Sequence, residues 1–213
     1  MPELTLYVED QWVSPWVMHA MAALEEKKLP YVVEPVTLPV AGELRAELLD
    51  RAGLAKVPLL RHRDHWCTES LAISEYVAET FPAPAYARLF PANLAERARA
   101  RQVMHWLRTD LFALRAERPT SGFLGEAPAP VTAPLSAEAR AQADTLVRVA
   151  GQFVAPERTT LFAEWCIADV DLALALRRLV ASGEPVPAHL AAYVEATWAR
   201  PCMQRFLARG ARA

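Results

Sequence analysis

Three short stretches place reactive or recognising side chains where they could act together. The first is "SPW", Ser14 to Trp16. Serine is a good helix N-cap and proline suits the first helical turn. Ser14 is therefore either a plain cap or a cap whose hydroxyl also touches a reacting atom. The second is "KVP", Lys56 to Pro58. An X–Pro bond opening a strand is a natural place for a cis peptide. A cis Pro58 would turn the N–H and C=O of Val57 outward, where an extended peptide could pair with them as one more strand. The third is "ES", Glu69 and Ser70, just ahead of a helical pattern. The Ser70 hydroxyl and the first free N–H groups make an anion pocket. Glu69 can accept from an ammonium, and Lys56 adds a cation. Each feature alone is ordinary: Lys56 by itself would be a solvated charge at a strand end. Together they suit a short extended ligand with an amino-acid end, a peptide middle and a carboxylate at the far end.

The elements that must position these residues follow from periodicity. Residues 4–8 read as a buried strand, 15–28 as a helix, and 31–38 as a second strand. Pro35 inside that strand favours a sheet edge. Residues 42–53 read as a short helix stopped by Gly53. "VPLLRH" and "HWCTES" form a hairpin turning near Arg63 and Asp64. Residues 70–81 form a helix with Ile73, Tyr76, Val77 and Phe81 on one face. The order is βαβαββα, and its opening strand–helix–strand implies a parallel pair with a right-handed crossover. Residues 82–93 are proline-punctuated and read as a linker. Beyond them the chain is all helix. Residues 94–117 read as one amphipathic helix, roughly 35 Å long, with Val103, Trp106, Leu107, Leu111 and Leu114 in a stripe. A long proline-rich loop (118–135) follows, then helices near 136–153, 168–182, 187–198 and 201–209. The expected division is an α/β domain (1–81) and an all-α domain (94–213).

Composition narrows the class. Hydrophobic residues make up 53% of the 213, enough for real cores. A net charge of −2 leaves no basic footprint for nucleic acid. Cys67, Cys166 and Cys202 form no CxxC pair and fit a reducing cytosol. The N-terminus lacks a signal-peptide pattern. The best apolar run is broken by Arg177 and Arg178, so no membrane is expected and a cytoplasmic location is. His62 and His65 flank a hairpin with no third ligand in view, so no metal site is expected. The arginines at 97, 99, 101 and 108 read as a solvated or dimer-interface face.

With these residues in place, the chain resembles the cytosolic glutathione transferases along nearly its whole length. The resemblance is carried by "SPWVMHAMAALEEKKLPY", "KVPLL", "CTESLAISEYV", "ERARARQVMHWL" and "LFAEWCIADVDLALALRRL", in order and at family spacing. The serine at position 14 is similar to the serine-type classes such as the plant tau class. "LRTDLFALRAERPT" is most similar to the YfcF-like bacterial members. The resemblance implies a thioredoxin-like N-terminal domain with a mixed four-stranded sheet and an all-helical C-terminal domain. It implies glutathione as co-substrate with no tightly bound cofactor, and a homodimer. Ser14 matches the catalytic serine, Lys56 a contact to the glycine carboxylate, and Val57 the residue pairing with the cysteinyl unit ahead of cis Pro58. Glu69 and Ser70 match the γ-glutamyl contacts. A further basic contact from the second helix has no clear match; Arg45 is its nearest candidate. The chemistry implied is attack of the glutathione thiolate on a small hydrophobic electrophile, or reduction of a peroxide. Trp12, Trp16 and Trp106 are candidate walls of the electrophile pocket, although packing is the ordinary role of tryptophan. Tyr7 is the rival donor to Ser14, with strand core the preferred reading. A thiol-exchange enzyme would need cysteine near position 14. A non-catalytic glutathione-binding scaffold of the same fold stays open as the alternative. Finally, Cys166 stands where the family's buried helix has Ser or Thr, so that cap is expected to rely on Asp169.

Overall fold

The structure is a computed structural model that describes residues 3–211. Its first half contains β1 (Leu4–Glu9), α1 (Pro15–Glu26), β2 (Tyr31–Val36), α2 (Gly42–Ala52), β3 (Leu59–His62), β4 (His65–Thr68) and α3 (Ser70–Thr80). The sheet order is β2-β1-β3-β4; β1 and β2 are parallel and the other pairs antiparallel. Pro35 therefore lies on an edge strand, opposite Val8, where its missing N–H leaves no ladder bond unmade. Strand β1 is central, and alternation sorts its side chains. Leu4, Leu6 and Val8 join the core under α1 and α3. Tyr7 faces the other way, toward a smaller cluster that includes Leu48 of α2 and Leu59. Helix α1 is buried from Val17 to Leu24, because α3 covers one side while α7 and α9 cover others.

The second half contains α4 (Leu94–Thr109), α5 (Phe112–Glu117), a 3₁₀ turn (Thr120–Gly122), α6 (Ala137–Phe153), α7 (Ala168–Ala181), α8 (Ala188–Trp198) and α9 (Pro201–Gly210). The main apolar cluster runs without interruption from Leu4 through α1 and α7 to Phe206. Helix α7 is its centre. Its start is held by Asp169, whose carboxylate accepts from the N–H of Cys166 (2.8 Å) and Leu161 (2.7 Å) and from the Tyr193 hydroxyl (2.9 Å). The carboxylate thus does what the Cys166 thiol cannot. Lys27, just after α1, donates to the carbonyls of Phe81 (2.6 Å) and Ala87 (2.8 Å), tying down the segment between the halves.

The expected helix over 94–117 is not continuous. It breaks at Asp110 (φ −108°, ψ −104°), so α4 is 16 residues, about 24 Å long. Asp110 accepts from the Thr109 hydroxyl at 2.8 Å, a local bond that competes with helix continuation. The groups freed by the break find other partners. The Arg115 guanidinium donates to the Arg108 carbonyl (2.9 Å), and the Leu114 N–H donates to the Gln142 amide oxygen (3.0 Å). Within the 118–135 loop, Arg118 and Leu124 are buried. Among the described residues, no helix is long and apolar enough to cross a membrane.

Candidate active site

Topology gathers the three motifs at one end of the sheet. Because β3 runs against β1, Leu59 pairs with Tyr7, which brings Val57 and Pro58 to the end of β1 that leads to Ser14. Because β4 runs against β3, Thr68 pairs with Leu59, which brings Glu69 and Ser70 to the same end. The Val57–Pro58 peptide is cis. Pro58 is buried and Val57 half-buried, and among the described residues no backbone hydrogen bond engages Val57.

Ser14 is the N-cap of α1. Its Oγ accepts from the Val17 N–H at 3.3 Å. That bond uses a lone pair, so the hydroxyl proton remains available. Among the described residues no acceptor takes it. Ser14 itself is half-buried. Its backbone is fixed from below by Glu9, the last residue of β1. The two carboxylate oxygens of Glu9 accept from Ser14 N–H (2.7 Å) and Trp12 N–H (2.5 Å). Burial pushes the Glu9 carboxyl above the usual glutamate range, partly opposed by the N–H groups of residues 11–14. Sequence reasoning missed Glu9; its only trace is an acidic residue ending a buried strand.

Glu69 adopts a left-handed backbone (φ 67°) between β4 and α3, an uncommon conformation for a non-glycine residue. Its carboxylate is 3.9 Å from Lys56 Nζ, and both side chains are exposed. Ser70 is buried, and its Oγ accepts from Arg108 Nη2 at 3.1 Å. This bond again leaves a hydroxyl proton free. Arg108 is thus not part of a solvated arginine face: its side chain is only 14% exposed. It turns inward to pair with Asp171 on α7, and its guanidinium lies 4.5 Å from the Trp16 ring centre. Asp171 Oδ1 is also 2.8 Å from His19 Nδ1, while His19 Nε2 is 3.1 Å from Ser74 Oγ. The result is one polar chain through α1, α3, α4 and α7. Burial holds His19 well below the usual histidine range, with Arg108 acting the same way, so it is neutral. Burial, with the nearby Arg115 cation, brings Arg108 down to about 9, still charged at neutral pH. The sequence hid this network because its members are distant in the chain.

The three candidate tryptophans each have different neighbours. Trp12 is 5% exposed, and its ring meets Phe206 of α9 edge-on, 5.5 Å between centres. Trp16 lies under Arg108 and Arg115. Trp106 is half-buried against the main core. Tyr7 stacks on Trp66 on the α2 side of the sheet, which agrees with its core reading. Arg45 is exposed on α2. Cys67 is a half-buried strand thiol whose Sγ donates to the Thr68 carbonyl (3.3 Å), and desolvation pushes its pKa up. His62 Nδ1 is 2.8 Å from the Tyr76 hydroxyl and its Nε2 is 3.6 Å from the Glu3 carboxylate.

Comparison with known proteins places this geometry. Residues 13–80 match the glutathione S-transferase N-terminal domain, and residues 93–212 match the glutathione S-transferase C-terminal domain. A solved glutathione transferase homolog from Burkholderia gl BGR1, with bound glutathione, is 36% identical, with 99% of each chain covered and a TM-score of 0.80. The theta class glutathione S-transferase of Xanthomonas axonopodis pv. citri is 22% identical, with 97% of this chain and 98% of that one covered and a TM-score of 0.73, a likeness of fold. Glutathione S-transferase U13 of Arabidopsis thaliana is 32% identical over 111 residues, 51% of this chain but only 47% of that protein. With both domain models matched in order on this fold, the chain belongs to the glutathione S-transferase family.

Proposed function

We propose that this protein is a serine-type glutathione transferase, in which Ser14 donates its hydroxyl proton to the sulfur of bound glutathione. The observation that carries the reading is the direction of the Ser14 cap bond: capping consumes a lone pair, and among the described residues no acceptor takes the hydroxyl proton. The ligand would lie along the end of the sheet. Its cysteinyl backbone pairs with Val57 ahead of cis Pro58. Its γ-glutamyl end meets Glu69 and Ser70, and its glycine carboxylate meets Lys56. Ser70 can donate outward because Arg108 already supplies a proton to its oxygen, which makes Arg108 a positioning residue. The co-substrate is a small electrophile or a peroxide, and no other tightly bound cofactor is invoked. We take residues 82–93 as the linker between the two functional halves, the assembly as a homodimer, the location as cytoplasmic, and the YfcF-like bacterial members as the subclass.

The energetics are modest. A free cysteine thiol has a pKa of about 8.5, so only a few per cent is thiolate at neutral pH. Lowering it by one to two units needs roughly 1.4–2.7 kcal/mol, within reach of one charge-assisted hydrogen bond together with the first-turn N–H groups of α1. Replacing Ser14 by Ala should therefore cut turnover roughly 10–100-fold while glutathione affinity changes far less. An unchanged kcat would remove Ser14 from the mechanism. The competing scaffold reading predicts no turnover with any of a chloro-arene, a hydroperoxide, an isothiocyanate or a disulfide.

A further inference from the structure

Between α1 and the helical half, beside Trp16, lies a cavity of about 20 Å³, room for roughly one water-sized group. Leu111, Leu114 and Leu174 are among its apolar walls, and Arg115, Arg178 and Asp171 also line it. The charges there do not balance. Asp171 is the single carboxylate, and its two oxygens are engaged by His19 and Arg108. Arg115 donates to the Arg108 carbonyl, and Arg178 donates to the Arg118 carbonyl. Among the described residues neither has a carboxylate partner. Arg178 is only 5% exposed. A buried cation without a counter-ion is unfavourable. Burial, reinforced by the Arg115 charge, brings Arg178 down to about 10. Aromatic surface adjoins the cations: Arg115 lies 5.2 Å from the Trp16 ring centre and 5.4 Å from that of Phe112, which is 63% exposed.

We propose that this cavity takes one carboxylate oxygen at the anionic tip of the second substrate, so that the preferred electrophiles are aromatic carboxylates whose rings lie along Trp16 and Phe112. The inference deepens the transferase reading and rests on it for the word substrate. The anion site itself rests on the cavity. Arg115 and Arg178 are the residues assigned to it, whereas the carboxylates of glutathione itself belong at Ser70 and Lys56.

The test separates these possibilities. With glutathione saturating, 3-nitrobenzoate and its neutral amide are titrated by tryptophan fluorescence quenching. The carboxylate should bind about tenfold tighter than the amide, and that preference should fall by about fivefold or more in both Arg178→Met and Arg115→Gln. Arg178→Lys, which keeps the charge, should retain most of it, and circular dichroism checks that each variant folds. Equal binding of the two probes, an undiminished preference in both variants, or competition between benzoate and glutathione would overturn the site. In turnover, the ratio of kcat/KM for 4-chloro-3-nitrobenzoate over that for its methyl ester should fall in the same variants. Absence of turnover with both, alongside an intact binding preference, would overturn the transferase reading and support the anion site.

Discussion

At the scale of the residue, the proposed chemistry turns on one pair: Ser14 and the carboxylate beneath it. Glu9 holds the 10–14 turn through two N–H groups, so its protonation reaches the donor. Its folded pKa is raised. The stability it contributes is therefore fully present below its unfolded pKa and is lost as pH rises through the folded one. On acidification Glu9 takes up its proton in place, without unfolding the chain. Turnover should then decline with an apparent pKa above the ordinary glutamate range of about 4.3 while the circular dichroism spectrum is unchanged. Glu9→Gln should erase that limb and destabilise the fold by about 1–3 kcal/mol, because an amide presents N–H to N–H. A limb that survives in Glu9→Gln would assign it elsewhere. Ser14, Lys56, Val57, Pro58, Glu69 and Ser70 could be proposed from the sequence because each sits in a short local pattern, and the strand registers bring them to one end of the sheet. Glu9 and Arg108 were illegible because their roles are defined by partners that only folding supplies.

At the scale of the element, the 10–14 turn is clamped by the 118–135 loop. A Cβ on Gly125 would stand 2.9 Å from Val13 Cγ1 and 3.3 Å from the Gln11 carbonyl, and Gly125 has φ +90°. Both facts require glycine there. Gly125→Ala should destabilise by about 1–3 kcal/mol and lower kcat more than it raises KM for glutathione. Normal kinetics in a stably folded variant would show the turn to be indifferent to the loop. The strands and helices of the first half were readable since period and punctuation agree. The break at Asp110 was not, because Leu111 and Leu114 continue the apolar stripe of α4 and both are buried. Periodicity records which side faces the core, and both halves of a broken helix face it.

At the scale of the whole molecule, the continuous core means that the two halves should not melt separately. Urea unfolding followed by tryptophan fluorescence and by circular dichroism should coincide in one transition; two separated midpoints would show the halves to be independent. The neutral His19 adds a pH term. Its folded pKa is depressed, so its contribution is present above the unfolded value near 6.5 and lost as pH falls through the folded one. Thermal stability should therefore fall on acidification below about pH 6.5, and less steeply in His19→Gln. The same residue offers a readout of how the molecule is closed. Asp171 only accepts, so the single ring proton of neutral His19 belongs on Nδ1, and Nε2 must be the acceptor. Ser74 has one hydroxyl proton and two acceptors in reach, Nε2 at 3.1 Å and the Leu71 carbonyl at 2.9 Å. The tautomer assigns that proton to the ring. His19 should then give a sharp, downfield, slowly exchanging imidazole N–H resonance in proton NMR, visible only while α1 and α7 are docked.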